Sequence, residues 1–339
     1  MKNSTIKNST SNPSMIQALQ AQSQLLLSTI TQALSAVQYR EITHQRIAQQ
    51  NNNKKCQIDA DISIIYQGLT RAQHPQLGYV MIKWQLSADA SQDPSYLAHE
   101  ADVLTSINTL SQNQNNPTAI APPILAYESL TVQILEQSQQ LTMVIMPYYP
   151  QGSLVNQLSA QKYLILTDKQ KHHFIVQSVY LIANLHKAGW LHSDIKPSNI
   201  LIDGLSTNDA NSSSVTTKLL LIDFALAESI GTLRKSNPAG TPAYLAPERW
   251  QGQSATAQSD IYAFGVMMTE ILIGARPFSV SKQSSEPLTE WAIQHCQQPV
   301  PKLPLAYSRY QCIVEKALAK RTAKRYQSME EILSDLTLL

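Results

Sequence analysis

The chain of 339 residues has three cysteines, only 15% charged residues and no long unbroken apolar run, and each shortage excludes a class of protein. Cys56, Cys296 and Cys312 are far apart, odd in number and without metal-ligand spacing. That pattern argues against a disulfide framework and for a reducing compartment, so a cytoplasmic protein is expected. A net charge of +2 supplies no broad basic face, and nucleic acid is not expected as a partner. The few basic clusters, such as Arg321 to Arg325, read as solvated helix faces. The apolar run ending at Ile273 holds Thr269 and Glu270 and is shorter than the about 18 residues of a membrane helix, so no integral span is expected. With 43% hydrophobic residues the chain can still bury a core, as one large two-lobed domain or as two domains.

Residues 1–55 lack glycine and, apart from Glu41, acidic residues, while Gln, Asn, Ser and Thr abound. The stretch opens as a polar tail. From Ser14, a plausible N-cap, Ile16, Leu19, Leu26, Ile30, Leu34 and Val37 recur near helical spacing and predict an amphipathic helix to about Gln50. A signal peptide on Leu25 to Val37 and a membrane-surface helix compete with a helix that packs on its own lobe or on a partner. Interruption of the apolar run by Gln and Thr, and the scarcity of Lys and Arg on the polar face, favour packing. Asn51 to Lys55 then reads as a linker.

From Gln57 to Trp84 the pattern is β-branched and aromatic, with Ile62, Ile64, Ile65 and Tyr66 in one run and Tyr79 to Lys83 in another. A helix follows through Glu100 and Leu104. Ser111 to Pro117 is polar and turn-rich, and Ile124 to Tyr127 and Leu141 to Met146 predict two further strands. His172 to Lys187 carries one apolar stripe, Phe174, Ile175, Ser178, Leu181, Ile182 and Leu185, and Gly189 ends that helix. Two apolar runs, Ile200 to Ile202 and Leu219 to Ile222, fit a hairpin whose long connection, Asp203 to Lys218, is a solvated loop.

The polar groups needed for phosphoryl transfer are concentrated in His192-Ser193-Asp194-Ile195-Lys196-Pro197-Ser198-Asn199 and in Asp223-Phe224-Ala225. A carboxylate must orient the attacking hydroxyl, a cation must steady the γ-phosphate, and a carboxamide and second carboxylate must hold Mg²⁺. Asp194, Lys196, Asn199 and Asp223 are those four groups. Further on stands a second motif, Gly240-Thr241-Pro242-Ala243-Tyr244-Leu245-Ala246-Pro247-Glu248. On these motifs the chain resembles the eukaryotic-like protein kinases, and most of all their bacterial-type Ser/Thr members, over about residues 57–339.

The resemblance implies an α+β fold: a small antiparallel-sheet N-lobe with one helix (about 57–146) and a mostly helical C-lobe (about 150–339), preceded by the helical extension. It implies an ATP-dependent enzyme that uses Mg²⁺ and phosphorylates Ser or Thr hydroxyls of protein substrates, itself included through Thr232, Ser236 or Thr241. Lys196 and Pro197 point to Ser/Thr specificity. Lys83 would contact the α- and β-phosphates and pair with Glu100. Ile58, Ile65, Met81, Met146 and Tyr148 would surround adenine, the last two in the hinge segment. Thr241 would bridge Asp194 and Lys196, and Glu248 would pair with Arg325. His192 and Asp260 are structural, with Asp260 accepting backbone N–H groups of the catalytic loop. No sensor domain is expected after the final helix, Met329 to Leu339.

The departures from the pattern are equally specific. Ile58, Ala60 and Ser63 stand where glycines let the backbone approach phosphates, and Asp59 and Asp61 are close by. Met81 replaces a small residue, Ala225 a glycine, and Ser193 the Arg that commonly grips an activation-loop phosphate. A pseudokinase scaffold and a small-molecule kinase are the alternatives. Retention of every charged catalytic residue opposes the first, and the Gly-Thr-Pro and Ala-Pro-Glu elements oppose the second.

Overall fold

The computed structural model describes residues 13–51, 64–87, 96–112, 119–134, 137–158, 166–204, 217–232 and 239–339. Ile58, Ala60, Ser63, Asp59 and Asp61, and Ser236, lie outside the described residues. Two compact units emerge: residues up to Leu97 together with Ile124–Tyr148, and Ala98–Pro123 together with Tyr149–Leu339.

The first unit is built from helix α1 (Pro13–Ala36) and strands β1 (Arg40–Asn51), β2 (Ile64–His74) and β3 (Gly78–Ser87). The second unit then takes up helix α2 (Tyr96–Gln112) from its third residue on, and the chain returns to the first with β4 (Ala126–Ile134) and β5 (Gln137–Pro147). The five strands form one antiparallel sheet in the order β1-β2-β3-β5-β4.

This corrects the expected N-terminal boundaries. The helix ends at Ala36, not near Gln50, and Asn51 closes a strand where a linker was expected. Gln38 takes the left-handed conformation (φ 71°), and the N–H of Tyr39 reaches back to the carbonyl of Leu34 at 3.0 Å, a backbone arrangement that stops a helix. Beyond it, Ile42, Thr43 and Ile47 suit an edge strand, and pairing with β2 outweighs the residual helical spacing. The unit thus begins upstream of residue 57. Likewise α2 runs through Ser111, where a turn was expected.

Register fixes the two faces of the sheet. Leu69 pairs with Lys83, Met81 with both Arg71 and Met146, and Lys83 with Val144, so Ile65, Met81, Lys83 and Met146 share one face. The other face carries Ala72, Val80, Ile82, Trp84, Leu86, Leu141, Met143 and Ile145, and onto it α1 lays Leu26, Ile30 and Leu34. The N-terminal helix therefore packs on its own sheet, on the side opposite Lys83. Gly68 is needed there: Trp84 is its cross-strand partner, and a Cβ at Gly68 would lie 2.1 Å from the indole.

A polar chain runs through this contact. Trp84 Nε1 donates to Thr70 Oγ1 (2.8 Å), Thr70 Oγ1 bonds His44 Nδ1 (2.8 Å), His44 Nε2 bonds Thr31 Oγ1 (2.9 Å), and Thr31 donates to the carbonyl of Leu27 (2.8 Å). Donors and acceptors match along it only when His44 carries its proton on Nε2. Burial lowers the pKa of His44, in keeping with that neutral form.

The second unit continues with α3 (Leu154–Leu158), α4 (Asp168–Lys187), β6 (Trp190–Leu191), the hairpin β7 (Ile200–Asp203) and β8 (Lys218–Leu221), and β9 (Glu228–Ser229). Helices α5 (Pro247–Trp250), α6 (Ala257–Ile273), α7 (Pro287–Gln297), α8 (Gln311–Ala317) and α9 (Met329–Leu336) complete it. Helix α6 is buried nearly all round, as its apolar composition requires, and Gly274 (φ 72°) ends it. Among the described residues no helix is long and apolar enough to cross a membrane.

Candidate active site

The loop 192–199 leaves α4 through Gly189 and is pinned by α6. Asp260, 2% exposed, accepts the backbone N–H of His192 through Oδ2 and of Ser193 through Oδ1, both at 2.9 Å, and His186 Nε2 also meets Oδ2 at 2.9 Å. Burial alone would push the Asp260 carboxyl up. Hydrogen bonding and charge from His186, with the N–H of His192, outweigh it and hold the group below its ordinary value. His186 was not among the candidate site residues, although Leu185-His186 is part of the motif that leads into the loop.

His192 is fully buried. Its Nε2 donates to the carbonyl of Ile222 (3.1 Å) while Nδ1 accepts the N–H of Asp194 (3.3 Å), so one imidazole joins the loop of Asp194 to the segment before Asp223. Ser193 adopts φ 65°, and its buried hydroxyl has no partner among the described residues.

Asp194 is the hub. Its Oδ1 accepts the backbone N–H (3.0 Å) and hydroxyl (2.7 Å) of Thr241, and its Oδ2 faces Lys196 Nζ (2.5 Å) and Asn199 Nδ2 (3.1 Å). Lys196 also donates to Thr241 Oγ1 at 2.6 Å, so Thr241 bridges the aspartate and the lysine as expected. The Asn199 amide nitrogen is taken by Asp194, with a second bond to its carbonyl at 2.9 Å, which leaves Oδ1 as the end of the carboxamide that a cation can use.

The β7–β8 hairpin brings the metal-ligand candidates together, since the N–H of Ile222 donates to the carbonyl of Asn199 at 3.0 Å and Asp223 follows directly. Asp223 has φ 67°, whereas Ala225 lies in a short helical turn with ordinary φ, so the glycine usual there is not needed in this backbone. Phe224 is buried with its ring 5.0 Å from that of His192, and its N–H donates to the Glu100 carboxylate on α2 at 3.3 Å. Asn199 Oδ1 and the Asp223 carboxylate are hard oxygen donors and fit Mg²⁺.

Thr241 begins a turn, Pro242–Tyr244, that is held by two helices. Tyr244 donates to Glu270 Oε2 on α6 at 2.5 Å, and α7 also packs on the turn. Behind it, His295 is fully buried, with Nδ1 2.9 Å from the Tyr262 hydroxyl and its ring stacked 5.5 Å from Trp291. Glu248 and Arg325 form the expected pair, with N–O distances of 2.8 and 2.7 Å. Arg325 is 2% exposed, so it is not part of the solvated basic face expected for Arg321 to Arg325.

Burial, then the charge of Lys320, brings the His295 pKa down to about 3 from 6.5. A histidine depressed on folding stabilises the protein above its unfolded pKa and withdraws that stability as pH falls. Between pH 6.5 and 5 the loss amounts to ~2 kcal/mol for this residue. Urea unfolding at pH 7.5 and pH 5 checks this: His295→Gln should show the smaller pH dependence, and equal slopes would reject it.

In the first unit, Met81, Lys83, Ile65 and Met146 share the sheet face described above. Tyr148 bonds through its N–H to the carbonyl of Tyr79 at 3.0 Å, and its ring lies 5.0 Å from the guanidinium of Arg71.

A family model described as the protein kinase domain matches residues 126–336. Among curated relatives, a probable serine/threonine-protein kinase PknB of Lactococcus lactis is 34% identical over 156 residues, covering 44% of this chain and 23% of its own length. The serine/threonine-protein kinase PknB of Mycobacterium tuberculosis is 27% identical over 262 residues, 74% of this chain and 37% of its own. PrkC of Bacillus subtilis is 28% identical over 214 residues, 61% and 30% respectively. The chain thus spans well under half the length of these relatives. The solved structure of the Cydia pomonella granulovirus kinase PK-1 shares the fold, with a TM-score of 0.57 at 20% identity over 90% of this chain and 96% of that one. The family match covers more than half of the chain and includes the hydrogen-bonded loop around Asp194: this chain belongs to the protein kinase domain family.

Proposed function

We propose that the chain transfers the γ-phosphoryl group of ATP to serine and threonine hydroxyls of protein substrates, its own Thr232 and Ser236 among them, with Mg²⁺ as the metal. The observation that carries this reading is the closed set of hydrogen bonds among Asp194, Lys196, Asn199 and Thr241. Asp194 accepts the hydrogen bond of the incoming hydroxyl and takes its proton. Lys196, already aimed by Asp194 and Thr241, turns its ammonium to the transferring phosphoryl oxygens. Asn199 and Asp223 hold Mg²⁺, which when bound neutralises charge on the phosphate oxygens. Lys83, set by Glu100, takes the α- and β-phosphates, and Ile58, Ile65, Met81, Met146 and Tyr148 surround adenine. Thr241 is a poor target for its own phosphorylation because its hydroxyl is committed to Asp194 and Lys196. The few, scattered cysteines, Cys296 and Cys312 being free, support a cytoplasmic setting.

Labelled phosphate from ATP with Mg²⁺, offered to the chain alone and with a generic protein substrate, tests the reading. Label recovered as phosphoserine or phosphothreonine is the expected result. Thermal stabilisation by Mg-ATP without transfer would replace it with a nucleotide-binding scaffold, and label on a metabolite with a small-molecule kinase.

A further inference from the structure

Arg276 follows Gly274 at the end of α6, is exposed, and enters no ion pair among the described residues. It is nevertheless held in place. Its guanidinium lies over two rings, 5.9 Å from the centroid of Tyr244 and 5.5 Å from that of Trp291. Each ring is fixed in turn. Tyr244 bonds Glu270 through its hydroxyl and Thr241 through its backbone N–H at 2.9 Å, and Trp291 stacks on the buried His295. The arginine thus belongs to the turn that begins with Thr241, whose hydroxyl touches Asp194.

A guanidinium lying over aromatic faces keeps its in-plane N–H edge for a planar acceptor, and its support reduces the side-chain entropy lost on binding. Glu270, the nearby carboxylate, is engaged by the Tyr244 hydroxyl and makes no ion pair with Arg276. What this corner offers to an approaching polypeptide is a fixed, accessible positive charge. We infer that Arg276 is a specificity-determining residue that selects substrates with an aspartate or glutamate close in sequence to the hydroxyl phosphorylated. The inference rests on the phosphotransfer reading for its setting, though not for its measurement.

Two peptide sets identical except for Glu or Gln at each position flanking a serine provide the test. Binding to the full chain is followed by fluorescence anisotropy, and transfer by kcat and KM. At one position or more the Glu peptide should bind about tenfold tighter, ~1.4 kcal/mol, with the gain in KM and not in kcat. Arg276→Ala should abolish the preference, Arg276→Lys should keep part of it, and Arg276→Glu should turn it towards Lys-containing peptides, with unfolding midpoints near that of wild type. Equal binding of Glu and Gln peptides by wild type, or a preference that survives in Arg276→Ala, would overturn the assignment. A binding preference that depends on Arg276 in a protein that transfers no phosphate would support it while removing the phosphotransfer reading.

Discussion

Asp194→Asn should lower phosphate transfer by about 10²–10⁴-fold, the range lost with a positioned general base, and leave the chain folded. The carboxylate does two things at once. In the proposed reaction it accepts the proton of the attacking hydroxyl, and it organises its surroundings by accepting from Thr241 N–H and Oγ1, Lys196 Nζ and Asn199 Nδ2. An amide keeps only one of its two ends as an acceptor. If its oxygen stays with Thr241, its NH₂ faces the Lys196 ammonium, and the lysine moves towards Thr241 Oγ1, its remaining acceptor. Positioning and proton acceptance are then lost together. The loss should appear in kcat, with KM for ATP almost unchanged, since none of these four contacts lies on the sheet face proposed to hold adenine. Initial rates with a generic protein substrate, beside the unfolding midpoint of both proteins, decide it. Transfer by the variant within threefold of wild type would show that Asp194 is not the base.

The parts of this site that are legible in the sequence are those whose chemistry needs fixed spacing within one loop. Asp194, Lys196 and Asn199 fall within six residues, and the contacts made by Thr241, Glu248 and Asp260 follow because their motif wording is equally tight. The first 51 residues are different. Leu26, Ile30 and Leu34 announce a helix, but its end at Ala36 is set by the backbone turn at Gln38 and by the pairing of Arg40–Asn51 with β2, and the second of these is not local. Helical spacing in α1 also cannot say which face of the sheet it will cover. That is decided by the alternation in β3, where Val80, Ile82, Trp84 and Leu86 face α1 while Met81 and Lys83 do not. Gly68 gives no sign in the sequence that Trp84 lies against it. The stack of Arg276, Trp291 and His295 has no sequence signal, because Arg276 and Trp291 are 15 residues apart and are brought together, with Tyr244, only by the folded chain.

Arg325→Met should cost the second unit about 3–5 kcal/mol, the usual result of leaving one partner of a buried ion pair alone. The five guanidinium N–H groups can all be accounted for. Nε donates to the carbonyl of Ala319 (2.6 Å), Nη1 to Glu248 Oε1 (2.8 Å) and the carbonyl of Gln258 (3.0 Å), and Nη2 to Glu248 Oε2 (2.7 Å) and the carbonyl of Lys320 (3.2 Å). Ser259 donates to Glu248 Oε1 at 2.7 Å, and the Tyr262 ring lies 4.9 Å from the guanidinium. Burial pushes the Glu248 carboxyl up, but the hydrogen bonds and charge of Arg325, with Ser259, outweigh it and hold the group ionised. In Arg325→Met that carboxylate keeps Ser259 and loses its charge partner, and three backbone carbonyls lose a donor. Glu248→Leu combined with Arg325→Met removes the stranded charge and should recover part of the loss, so the double variant should be more stable than Arg325→Met alone. Urea unfolding of the three variants measures both terms, and a single-variant cost below about 1 kcal/mol would place the pair with weak surface bridges instead. Glu248 lies in the first turn of the helix that follows Thr241-Pro242-Ala243-Tyr244, so the damage should also reach catalysis: loosening of that turn frees the Thr241 hydroxyl from Asp194, and kcat should fall in Arg325→Met even at temperatures where the protein remains folded.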